Sequence, residues 1–154
     1  MYNRLKTLIV SLLFIGSMVY GGELVNVAGA SDIAIGGYDP VAFFTVEKPT
    51  HGNPGIKAEH QGATYLFTSE KNRDLFKKNP EKYAPQFGGF CAYGAAVNAL
   101  FPIDISTWQV RDGKLYLNLN PDILAVFNKD FDKNVAKAEA NWNDLTSKHV
   151  EDAN

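Results

Sequence analysis

Apolar residues recur at steps of three and four through Phe127, Phe131, Val135, Ala138, Trp142 and Leu145. That is the period of one helix face, so the spacing predicts a C-terminal helical segment with a single buried stripe. Elsewhere the period shortens to two. Tyr65 and Phe67 alternate with Thr64 and Leu66, and Gln61-Gly62 separates Ile56–His60 from Ala63–Thr68, which predicts a hairpin. A second hairpin joins Thr107–Val110 to Lys114–Asn118 through Asp112-Gly113, the strongest turn signal in the chain.

Between these runs lie shorter elements. Asp32-Ile33-Ala34-Ile35 reads as a short strand stopped by Gly36-Gly37. Asp39 is placed to cap a helix whose first residue is Pro40, where a missing N–H costs nothing. Residues 47–55 hold Pro49, Gly52, Asn53, Pro54 and Gly55 and read as a loop. Ser69 is an N-cap for a helix over Glu70–Lys78, with Leu75 and Phe76 inward and Asn79-Pro80 as its stop. The alanines of Phe90–Val97 favour helix after Gly88-Gly89, and residues 148–154 read as a frayed tail. The predicted fold is α+β: one small domain over residues 31–147, a short antiparallel sheet of hairpins packed on several helices.

The first residues belong to a different pattern. Arg4 and Lys6 precede an apolar run from Leu8 to Val19, a cationic start and a core too short for a spanning helix. This predicts an export leader, residues 1–21, with cleavage after Ala30 as the alternative because Ala28 and Ala30 form a small-x-small pair. The expected location is the periplasm or the exterior, free of the membrane after processing. The chain of 154 residues has a net charge of −2, and removal of Arg4, Lys6 and Glu23 makes it slightly more negative. With no basic cluster, nucleic acid and anionic membrane surfaces are excluded as expected partners. One cysteine excludes a disulfide scaffold, so packing must hold the fold.

That cysteine, Cys91, lies in Phe87-Gly88-Gly89-Phe90-Cys91-Ala92-Tyr93-Gly94. It is a buried apolar filler, an intermolecular crosslink, or a soft ligand or reactive thiol. At a helix start, backbone N–H groups favour a thiolate, which suits copper(I) or redox chemistry. His51 and His60 are the imidazoles within the domain and complete the candidate metal ligands. Tyr38, Asp39, Tyr93 and Asn118 are further candidates for a polar pocket, with Asp39 also readable as a cap and Asn118 and Asn141 as ties for backbone groups. There is no Gly-x-Ser-x-Gly elbow, no phosphate-binding glycine loop and no His-Glu-x-x-His.

Gly37-Tyr38-Asp39-Pro40-Val41-Ala42-Phe43-Phe44, Tyr65-Leu66-Phe67, Asn79-Pro80-Glu81-Lys82-Tyr83-Ala84-Pro85, the glycine-cysteine block and Asp112-Gly113-Lys114-Leu115-Tyr116-Leu117-Asn118 together resemble exported proteins with a YHS domain. The resemblance covers nearly all of residues 35–145. It implies a treble-clef-like core and a connection with copper and other metals. It also implies metal-binding cysteines in the shorter relatives, at positions that match Ala42, Thr68 and Asn72 here. None of those three can supply a thiolate, so that ligand set does not carry over. The expected function is a non-enzymatic binding module, for copper or another soft metal through Cys91. The alternatives are a thiol-dependent redox protein or enzyme, and a structural or partner-binding domain with an inert cysteine.

Overall fold

The computed structural model describes residues 24–27 and 31–152. The expected leader, residues 1–21, lies outside them. Among the described residues no helix is long and apolar enough to cross a membrane.

Two hairpins carry the strands. β1 (Asn53–His60) pairs antiparallel with β2 (Ala63–Phe67), and β3 (Asp104–Arg111) pairs antiparallel with β4 (Lys114–Asn118). Both expected turns are present. Gln61 and Gly62 have φ of 52° and 77°, Asp112 and Gly113 of 53° and 72°, the doubly left-handed pattern that suits the twist of a two-residue hairpin. The α+β class stands, but the sheet is two separate two-stranded ladders rather than one. Each long strand also begins earlier than the sequence pattern predicts. β1 takes in Asn53, Pro54 and Gly55 from the expected loop, and β3 starts at Asp104, because a bulge in each ladder absorbs residues that break the alternation.

The helices are short until the C-terminus: α1 (Ala42–Thr45), α2 (Glu70–Lys78), α3 (Pro80–Tyr83), α4 (Ala92–Ala96), α5 (Pro121–Lys129) and α6 (Phe131–Asp152). Ser69 caps α2 as expected, its Oγ accepting from the Asn72 N–H at 3.1 Å. The predicted C-terminal stripe is divided at Asp130, whose backbone leaves the helical region (φ −133°, ψ 55°). Asn134 closes that break by donating its amide to the Phe127 carbonyl at 3.0 Å. The expected tail is instead helical as far as Asp152.

Alternation along β4 sorts the interior into two clusters. Leu115 and Leu117 join Val41, Phe43, Tyr65, Phe67 and Phe76 on one side. Tyr116 joins Phe87, Ala92, Ala95, Phe127, Phe131 and Leu145 on the other. Asn141 ties α6 to α4 by donating to the carbonyls of Ala95 and Ala96 at 3.0 and 3.2 Å.

The folded body also starts before residue 31. Val25 and Val27 pack on the first cluster, and Val27 bridges Ala34. The expected strand at Asp32–Ile35 is reduced to isolated bridges, Val27 with Ala34 and Ile33 with Thr64.

Candidate functional site

Among the described residues, a groove of about 590 Å³ lies between Asn26-Val27, Ile35–Tyr38 and the segment that leads into β3. Val27, Ile35, Tyr38, Pro102, Ile103 and Ile105 give it apolar walls, and Asn26 and Asp104 bring the polar groups. Its size falls in the range usual for small-molecule sites, roughly 300–1,000 Å³. Ile35 is buried yet left-handed (φ 43°), an uncommon state for a β-branched residue. The Tyr38 ring stacks on His51 at 4.0 Å between centroids, and the two residues form a backbone bridge. The backbone N–H of Ser106 donates to the Asp104 carboxylate at 2.9 Å and holds that exposed group below the usual carboxylate range. Phe101, next in the chain to Pro102, is 42% exposed.

Asp39 lies apart from this groove, fully buried under β2 and α2. One carboxylate oxygen accepts from the N–H groups of Val41 and Ala42 at 2.8 and 3.3 Å. The expected cap is therefore present, with the regular helix beginning at Ala42 rather than Pro40. The other oxygen accepts from the Thr68 N–H and hydroxyl, both at 2.8 Å, and from the Asn72 amide at 2.7 Å. Five donors thus surround one carboxylate and fasten the Tyr38–Ala42 turn to the end of β2.

Cys91 is in a third place. It is 1% exposed and caps α4, its Sγ accepting from the Gly94 N–H at 3.4 Å. The thiol in turn lies 3.6 Å from the Asn118 amide oxygen, which also accepts from the Tyr93 N–H at 3.1 Å. Asn118 is held from below by Thr107, whose hydroxyl accepts from its N–H at 2.8 Å. The Asn118 amide nitrogen is buried with no hydrogen-bond partner. Turning the amide over would set that nitrogen against the Tyr93 N–H, so the orientation is fixed by the backbone.

The two histidines do not join Cys91. His51 is exposed on Tyr38. His60, expected to be exposed at its hairpin, is largely covered. Its ring meets Phe76 edge-on at 5.7 Å, and its Nε2 lies 3.5 Å from Glu81 without forming a hydrogen bond. Burial first, and the Glu81 charge second, push the neighbouring Tyr65 phenol far above its ordinary value. Among the described residues no three His, Cys, Asp or Glu side chains gather as a metal site. Of the nominated residues, Tyr38 lines the groove, Asp39 is the buried hub, and Cys91, Tyr93 and Asn118 form the cap of α4. Asn26, Ile103 and Ile105 escaped the sequence reading, since their segments carry no helix or strand period.

Residues 47–87, from the approach to β1 through Phe87, match the family model of the YHS domain. The chain carries a YHS domain. No curated protein and no solved structure matches it. YHS domains are associated with metal handling in general. In this one, the positions where relatives were expected to hold cysteines do converge. The Ala42 N–H and the side chains of Thr68 and Asn72 all meet Asp39. A carboxylate and its donors occupy that corner, and no thiolate is there to bind a soft cation.

Proposed function

We propose that the protein is a non-enzymatic binding module whose ligand seats in the groove between Asn26-Val27, Ile35–Tyr38 and Pro102–Ile105, with Cys91 acting as a buried structural cap. The observation that carries this reading is the groove itself: an apolar trough of about 590 Å³ with a single carboxylate, Asp104, at its edge. That chemistry suits a compact apolar molecule carrying a cationic or N–H donor head. The donors satisfied inside the protein at Cys91 support the structural role of the thiol.

Berberine, a flat aromatic cation whose fluorescence rises in apolar surroundings, is the probe for the test. Saturable one-to-one binding is expected. Ile103→Trp, which fills the groove, should abolish it while leaving the melting temperature within a few degrees. Asp104→Asn should weaken it about threefold, the scale of an exposed charge pair. Berberine binding that Ile103→Trp leaves unchanged would remove the groove from the function.

A soft-metal role for Cys91 is the competing reading, favoured by the association of YHS domains with metals. It requires the buried thiol to be reached and to recruit ligands beyond His51 and His60 in their present places. Anaerobic copper(I) titration of the protein beside Cys91→Ser decides between the two. The groove reading expects weak binding that is the same in both proteins. Tight one-to-one binding lost in Cys91→Ser would transfer the function to the thiol.

A further inference from the structure

Residues Leu24–Val27 run as an extended strap through a slot in the fold, bonded on both edges. On one edge the Asn26 N–H donates to the Gly88 carbonyl at 2.8 Å, and the Asn26 side-chain amide donates to the Gly89 carbonyl at 3.0 Å. On the other the Asn26 carbonyl accepts from the Ile35 N–H at 3.3 Å, and Val27 bridges Ala34. Val25 and Val27 turn their side chains to the first core cluster while Asn26 faces the other way, the alternation of a strand. The slot is cut for backbone. Gly88 and Gly89 are both left-handed, a methyl on Gly88 would collide with the Leu24 carbonyl, and one on Gly89 would lie 2.9 Å from Ile35.

These are the elements of strand addition: main-chain hydrogen bonds along an extended segment, with alternate side chains read by pockets. The strap also lies between the two leader-cleavage points that the sequence offers. Cleavage after Gly21 keeps it; cleavage after Ala30 removes it and leaves the carbonyls of Gly88 and Gly89 and the N–H of Ile35 without their partners. We propose that the slot between Ile35 and Gly88-Gly89 is a docking site for an extended peptide strand of the pattern Val-Asn-Val. Its own Leu24–Val27 fills it in cis, and another chain presents the same chemistry in trans once the strap is gone. Asn26 and Val27 also line the groove, so loss of the strap would open that wall as well.

The experiment keeps the full chain. A site-specific protease sequence is inserted between Gly29 and Ala30, and the folded protein is cut and mixed with an excess of fluorescein-labelled peptide spanning residues 22–28. Cut protein should take up the label to one equivalent, and uncut protein should take up none. A peptide with Asn26→Ala should bind at least tenfold more weakly, and Gly88→Ala in the cut protein should block uptake. Should cutting loosen the domain, added peptide is expected to raise its melting temperature. Cut protein that neither takes up the label nor melts higher with peptide overturns the proposal, as does equal uptake by uncut protein.

Discussion

Replacing Asp39 by alanine is expected to lower the stability of the protein by about 3 kcal/mol, the sum of a lost cap and lost hydrogen bonds to a charged acceptor. For a domain of this size that is a fall in melting temperature of about 10 °C. The reason lies in what the substitution strands. The Val41 N–H loses its acceptor inside the protein and the Ala42 N–H keeps only the Asp39 backbone carbonyl, while Thr68 and Asn72, nearer the surface, can turn to water. Asp39→Asn sharpens the test. Its amide oxygen can serve the Val41 side, while Thr68 and Asn72 turn to water, so the loss should be smaller than in Asp39→Ala. Thermal melting of both variants checks this. An Asp39→Ala protein that melts with the parent would mean that five hydrogen bonds only repay the burial of the carboxylate.

Phe127→Ala is expected to cost about 3–5 kcal/mol, the usual range for removing a buried ring from a core that cannot collapse around the gap. Phe127 is fully buried, and its ring centroid lies 5.9 Å from Tyr116 and 5.3 Å from Phe131. It joins α5 to both β4 and α6, so no single neighbour can move to fill the space. Denaturant unfolding of the variant measures the loss. A value below about 1 kcal/mol would show that the second cluster closes around the cavity, contrary to close packing.

Phe127 also marks how far the sequence could be read. Its stripe was legible because helix period is a local property, and so were the two hairpins and the Ser69 cap, each set by residues within a few positions of one another. The break at Asp130 was hidden because Phe127 and Phe131 keep helical spacing across it. The strap was illegible for a stronger reason. Its anchors, Asn26 and Gly89, are 63 residues apart in sequence, and nothing local to either announces the other. Asp39 was half legible: its cap bonds lie two and three residues away, whereas Thr68 and Asn72 are about thirty positions on. The same rule governs the candidate site. Tyr38 stood out as an aromatic beside a carboxylate, but the opposite wall at Ile103 and Ile105 is brought to it only by the tertiary fold.

The division of the interior by one strand has a kinetic meaning. Because Leu115 and Leu117 serve one cluster and Tyr116 the other, neither cluster can open while β4 stays paired and packed. The amide protons of β4 should therefore be the last to exchange with solvent, at a free energy equal to that of global unfolding, and those on both sides should be released together with them. Two cores in the geometry are thus expected to open as one cooperative unit.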